Sequence, residues 1–177
     1  PRYKELITEC FAEAKSFGIP TVLGDRVAET GTMVEITEIV QVYEDGRMDI
    51  KTRGTKVFQV LEMIEQIPDK LYSGAIVNYP NNDTMAKPFL SFKILDSVYI
   101  LHRLLNVTKK FQQKVAEMLS YDMAHHAGLS LKEEYELLCL LQEDQRLEFL
   151  RRHLEKVIPV IEGMEQLKER IAINGSF

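Results

Sequence analysis

The spacing of apolar residues changes once along the chain, near residue 84. Before that point they alternate with polar residues; after it they recur every three or four positions. The alternation is clearest from Gly31 to Phe58. Val34, Ile36, Val40 and Val42 share one parity, broken by Glu38. Met48, Ile50 and Thr52 then alternate with Arg47, Asp49, Lys51 and Arg53. A period of two predicts strands with one buried and one wet face, and Asp45-Gly46 predicts the hairpin that joins them. A two-residue loop would pair Val42 with Asp49 and mix the faces. A three-residue loop, Glu44-Asp45-Gly46, pairs Val42 with Met48 and Val40 with Ile50, which keeps the apolar set together. Gly46 then takes a positive φ, which glycine adopts without steric cost. Gly46→Val is expected to lower the thermal unfolding temperature and Asp45→Ser to change it little.

The remaining elements follow from the same reading. Arg2 to Ser16 is a helix by the spacing of Leu6, Ile7, Cys10, Phe11 and Ala14, with Gly18 closing it. Ile19 to Leu23 is a short edge strand, because Pro20 has no amide hydrogen to give a ladder. Gly24 to Thr30 reads as a polar loop. Gly54 bends the chain into Val57–Ile64, apolar on both faces and hence central. Pro68-Asp69 turns it, and Leu71 to Tyr79 is another strand. Pro80 to Thr84 is a linker. Phe89–Val107, behind Pro88, carries the stripe Ile94, Val98, Leu101 and Leu105. A second helix spans Thr108–Ala127 and ends at Gly128. Ser130-Leu131-Lys132-Glu133 is a capping box that opens a third helix running to about Leu141. The last helix carries Leu147, Leu150, Leu154, Val157, Ile161, Met164 and Ile171; Pro159 should kink it without ending it. The fold class is therefore α+β: a β-rich subdomain over 1–84, then a helical bundle over 85–177 with a long last helix.

At 45% hydrophobic and 28% charged, the 177 residues are of ordinary globular composition and can hold a core. No apolar run approaches the roughly 20 residues of a membrane helix. With no secretion signal, two distant cysteines (Cys10 and Cys139) point to idle thiols in a cytoplasmic protein, and three glycosylation sequons are read as chance. The net charge is −5, all of it in residues 1–84, which hold 9 Lys+Arg against 14 Asp+Glu. An acidic strand-rich half argues against a nucleic-acid partner.

Catalytic signatures are missing. No glycine precedes a lysine, so there is no P-loop, and no Gly-x-Ser-x-Gly elbow occurs. His125 and His126, adjacent on a helix, point about 100° apart and do not form a metal pair. Arg151, Arg152, His153 and Lys156 are interleaved with Glu148 and Glu155, as on a solvated helix face. Catalytic, metal and cofactor sites are thus expected to be absent. Tyr72, Tyr79, Met85 and Phe89 gather where strands give way to helices. Exposed, they would form an apolar crease suited to extended peptide; otherwise they join the two subdomains.

Pro1-Arg2-Tyr3-Lys4-Glu5-Leu6-Ile7 with Cys10, Phe17-Gly18-Ile19, Gly31-Thr32, Ile36, Asp45-Gly46-Arg47, Gly54 and Phe58 resembles the amino-terminal domain of Lon proteases, and Arg146-Leu147-Glu148 extends the likeness into the helical half. The resemblance implies a curled β subdomain related to PUA-like barrels, followed by a helical bundle. It also implies an absent start, since family members carry a strand or two ending in Phe-Glu before Pro-Arg-Tyr. Val57 stands where the family often has arginine. The ATPase and Ser–Lys peptidase modules have no counterpart here. The resemblance therefore implies a stand-alone or excised Lon N-terminal-like domain. Its role would be non-catalytic binding of unfolded or extended polypeptide, with a possible link to an ATP-dependent protease. The alternative is a sensor or scaffold for a small ligand or modified peptide.

Overall fold

A computed structural model of the chain describes residues 1–85, 87–108, 111, 114 and 117–174. The elements run α1 (Arg2–Ala12), β1 (Phe17–Leu23), β2 (Arg26–Val42), β3 (Met48–Ile64), β4 (Gly74–Asn78), α2 (Pro88–Leu104), α3 (Ser120–Ala124), α4 (Leu131–Cys139) and α5 (Glu143–Asn174). Two compact units are present, Pro1–Asn82 and Asp83–Phe177.

The first unit is an antiparallel meander of order β1-β2-β3-β4, with α1 beside it. The β2–β3 hairpin closes with the three-residue loop its alternation requires. Tyr43 N–H donates to the Arg47 carbonyl, Val42 pairs with Met48, and Gly46 has φ +79°. Two residues further in, the expected register fails. Ile50 pairs with Ile39, not Val40, because β2 bulges between Ile39 and Gln41 and again between Ile36 and Glu38. Each bulge adds one residue to β2 alone. Ile36, Ile39 and Val42, three apart, therefore meet Thr52, Ile50 and Met48, two apart. Val40 is left half exposed. The polar partners confirm the shifted register: Arg53 pairs with Glu35, and Lys51 Nζ lies 2.6 Å from Glu38. No sequence periodicity reveals a bulge, which is why the alternation misled beyond the turn.

Other boundaries move too. Residues 26–30, expected in a loop, belong to β2, which turns from β1 through Gly24-Asp25. Strand β4 is shorter than Leu71–Tyr79. Helix α1 ends four residues before its expected close, and Gly18 lies inside β1. The helix is closed by Ala14, at φ +51°: Lys15 N–H donates to the Cys10 carbonyl at 2.9 Å and Ala14 N–H to Phe11 at 3.4 Å. This is the paired end-bonding of a Schellman cap, built on alanine where glycine is usual. Gly18 has another use. The Phe58 ring lies across Gly18 and Gly31, and a Cβ on Gly31 would collide with the ring and stand 2.6 Å from the Ile19 carbonyl oxygen. The buried hydrophobic residues of this unit are Cys10, Val34, Val57 and Phe58.

The second unit is helical. Pro88 opens α2, whose Ile94, Leu95, Val98 and Leu101 are buried, while Leu105, expected on the stripe, is half exposed beyond the helix end. Of the helix expected over Thr108–Ala127, only α3 is present among the described residues; positions 109, 110, 112, 113, 115 and 116 lie outside them. Helix α4 has the foreseen capping box: Ser130 Oγ accepts from Glu133 N–H, and the Glu133 carboxylate accepts from Ser130 N–H at 2.8 Å. Helix α5 runs through Pro159 for 32 residues. Its first half packs Leu147, Leu150 and Leu154 into one cluster with α2, α3 and α4.

Candidate functional site

The four candidate residues divide between the units, Tyr72 and Tyr79 on the first, Met85 and Phe89 on the second. Tyr72 is committed within its own unit. Its hydroxyl donates to Glu9 at 3.0 Å, Lys70 pairs with the same carboxylate, and Leu71 N–H donates to Glu5 at 3.3 Å. These bonds fasten α1 to the segment before β4. They hold the Glu9 carboxyl below the usual carboxylate range, through Lys70 first and then Tyr72. Partial desolvation and then the Glu9 bond push the Tyr72 phenol up. Tyr79 is different: it directly follows β4, is half exposed, and has the Lys56 ammonium 5.6 Å from its ring centroid. On the second unit Met85 and Phe89 are the freest, with Phe89 72% exposed and the Lys93 ammonium 4.7 Å from its ring.

The sequence reading missed the residues around Tyr79. Among the described residues, strand β4 pairs on one side only, with β3, as the terminal strand of the sheet. Around this hairpin Leu61, Met63, Ile76 and Leu71 are exposed, Leu61 at a bulge between Val60 and Glu62. The run Val57–Ile64, expected to be central because it is apolar on both faces, does lie in a central strand, since β3 pairs with both β2 and β4. Within it only Val57 and Phe58 are buried, while Leu61, Met63 and Ile64 supply exposed apolar surface.

A second feature lies within the helical unit. A cleft of about 530 Å³ between α4 and α5 is lined by Leu140 and Phe149, by Glu133 and Glu136, and by Arg152 and Lys156. His153 closes its inner side. Read from sequence as part of a solvated face, His153 is buried: Nδ1 stands 3.0 Å from Glu133 Oε1 and Nε2 3.1 Å from the Ala127 carbonyl. Its neighbours follow the expected pattern, with Arg151 and Arg152 both on Glu148, whose carboxyl they hold at about 2.

A fully buried polar cluster in the helical unit was likewise not foreseen as such. Arg146 and Glu143 are both fully buried, 2.7 Å apart. Glu143 accepts from Ser120 N–H and Oγ at 2.7 and 2.8 Å, at the first turn of α3. Arg146 donates to Ser120 Oγ and to the carbonyls of Leu140 and Asp83, and its guanidinium sits 4.4 Å from the Tyr121 ring centroid. The Asp83 N–H donates in turn to Leu141. Arg146 thus fixes the start of the helical unit, which is a structural task.

Among the described residues no group of three or more His, Cys, Asp or Glu could hold a metal ion, and no helix is long and apolar enough to cross a membrane.

A bulged antiparallel meander followed by a helical bundle with one long terminal helix defines an α+β domain class, and solved structures share it. No protein-family model and no curated protein sequence matches the chain. It is similar to a Lon N-terminal domain protein from Xanthomonas campestris, at 25% identity and TM-score 0.59 over 85% of this chain and 83% of that one. It is also similar in fold to the N-terminal domain of a Mycobacterium avium complex Lon protease, at 16% identity and TM-score 0.54 over 81% and 78%. The chain thus shares the fold of these Lon N-terminal domains. Phe58, Gly18 and Gly31, prominent in the sequence resemblance, are the residues that stack across three of its strands.

Proposed function

We propose that this domain binds unfolded or extended polypeptide without transforming it, and that its clients are destined for ATP-dependent proteolysis. The observation that carries the reading is the apolar surface around β4. Leu61, Met63, Ile76 and Tyr79 stand exposed at or beside β3 and β4, and β4 is the terminal strand of the described sheet. An extended peptide can add to such an edge through its backbone, which makes few sequence demands, while alternate side chains rest on the apolar neighbours. Met85 and Phe89 offer a second apolar contact on the helical unit.

The test is fluorescence anisotropy with a labelled, permanently unfolded protein. Ile76→Ser with Tyr79→Ser, and separately Met85→Ser with Phe89→Ser, should each weaken binding by about fivefold or more, while the unfolding temperature stays put because all four side chains are exposed. Undiminished binding by both double variants would remove the site.

One observation favours a second reading, a sensor for a small ligand or modified peptide: the α4–α5 cleft, with acidic and basic walls over an apolar floor. A thermal-shift screen with amino acids and short modified peptides would support that reading if a stabilising compound lost its effect in Lys156→Ala, and would sink it if no compound shifted the wild type.

A further inference from the structure

The α4–α5 cleft holds charges of both signs, and most of them already satisfy one another. Glu133 has both oxygens engaged, Oε2 by the Ser130 N–H and hydroxyl and Oε1 by His153 Nδ1. His153 has its other nitrogen on the Ala127 carbonyl. Glu148 takes Arg151 on both oxygens and Arg152 Nε on one. None of these groups lacks a partner.

Three charged groups in the same cleft are different. Lys156, on the α5 wall, makes no hydrogen bond or ion pair among the described residues. Arg152 gives Glu148 only its Nε, which leaves its two Nη groups with hydrogens to donate. The two residues are four apart on α5 and so share a helix face. Glu136, on the α4 wall, has one ion pair among the described residues, with Lys132 four residues back on its own helix and 3.9 Å away. Acid and bases thus line one space from opposite walls without closing on each other. Leu140 and Phe149 supply apolar surface between them.

A molecule that satisfies this arrangement carries an anion for Arg152 and Lys156, a cation for Glu136, and an apolar body for Leu140 and Phe149. A ligand with one charge leaves the opposite wall unpaired. An amino acid or short peptide with both ends free has all three parts, and the cleft's volume of about 530 Å³ is of the size that takes small ligands.

We propose that the α4–α5 cleft binds an apolar zwitterion, an α-amino acid or a peptide of two or three residues with free amino and carboxyl ends. The carboxylate meets Arg152 and Lys156, the ammonium meets Glu136, and the side chains rest on Leu140 and Phe149. The inference rests on the reading of this cleft as a ligand site and is independent of polypeptide binding around β4.

The experiment is isothermal titration calorimetry of the full chain with leucine, leucyl-leucine, N-acetyl-leucyl-leucine and leucyl-leucine amide. The tighter of the first two fixes the length of the ligand. Acetylation removes the ammonium and amidation the carboxylate. Each should weaken binding about three- to fivefold, the worth of an exposed ion pair. Glu136→Gln should bind the free and acetylated peptides alike, and Arg152→Gln with Lys156→Gln the free and amidated ones alike. All three side chains are exposed, so an unchanged unfolding temperature verifies that these variants fold. Discrimination that persists in the variants overturns the proposal, because the ligand then sits elsewhere. Weakening on amidation alone overturns the zwitterion and leaves the cleft as a site for apolar acids. No binding of any of the four compounds also overturns it; the wider cleft reading falls only if the thermal-shift screen is blank as well.

Discussion

The helical unit gathers twelve buried hydrophobic side chains into one cluster among the described residues, whereas the sheet unit buries four. The sheet unit relies on close backbone approach, with one aromatic ring laid over two glycines and bulges that let unequal strands match. It leaves large apolar residues in solvent. The helical unit relies on volume and on a buried ion pair that fixes how its first and last segments meet. The difference separates two kinds of fragility. A thinly cored sheet fails where space is lost, and a well-filled bundle fails where a charge is stranded.

Stranding that charge should give the largest effect. Arg146→Ala leaves Glu143 buried and unpaired and strips donors from the carbonyls of Leu140 and Asp83. A loss of about 3–5 kcal/mol is expected in chemical denaturation. Arg146→Met combined with Glu143→Leu should recover part of it, because no charge is then buried unpaired, while Ser120 and the Leu140 and Asp83 carbonyls still lose their partners. A double variant no more stable than Arg146→Ala would mean that the bonds, not the charge balance, sustain the unit.

Filling space in the sheet should cost somewhat less. Gly31→Ala places a methyl group against the Phe58 ring and 2.6 Å from the Ile19 carbonyl oxygen, where backbone must yield. About 1–3 kcal/mol should be lost. Gly54→Ala, whose new atom meets only the Thr32 methyl at 3.2 Å, should cost less. Equal losses at the two glycines would show that general strand propensity, not the Phe58 stack, governs the sheet.

Third is Glu133, which joins the α4 cap to His153 on α5. Glu133→Ala should cost about 1–2 kcal/mol at neutral pH, the loss of a cap and a polar contact. The Ser130 hydroxyl and backbone bonds, with a smaller contribution from His153, hold its carboxyl below the ordinary 4.5. A carboxyl lowered on folding stabilises above its unfolded value and loses that contribution as pH falls through its folded value. Wild type and Glu133→Ala should therefore converge in unfolding temperature below about pH 4.5. A gap that stays constant down to pH 3 would refute the linkage.

These sites also show what can be read before any coordinates. The turn at Glu44–Gly46, the Ser130 cap and the passage of α5 through Pro159 were legible because each is set by residues within a few positions of one another. The pairing of Ile39 with Ile50 was not, because a bulge changes neither composition nor hydrophobicity. Nor was the burial of Arg146, Glu143 and His153, since sequence marks such residues as solvated and only partners 20 to 63 positions away reverse that. Tyr79 and Phe89 were legible as apolar residues at a boundary. The terminal place of β4 beside Tyr79 was not, because strand order belongs to topology.

The smallest effect tests a local strain within the sheet unit. Ala14 holds φ +51° at the end of α1, a conformation that crowds an L side chain against its own carbonyl by roughly 1 kcal/mol. Glycine there keeps both cap bonds and removes the crowding, but gains freedom in the unfolded chain. The first term outweighs the second, so Ala14→Gly should stabilise by up to about 1 kcal/mol. Asn106, at φ +54° beyond α2, ends its helix with the same pair of bonds, Asn106 N–H to the Arg103 carbonyl and Val107 N–H to the His102 carbonyl, but asparagine already tolerates that region. Asn106→Gly should therefore gain less. If both substitutions destabilise, helix-end strain is not where either unit stores energy, and the contrast between them rests on core volume and buried charge alone.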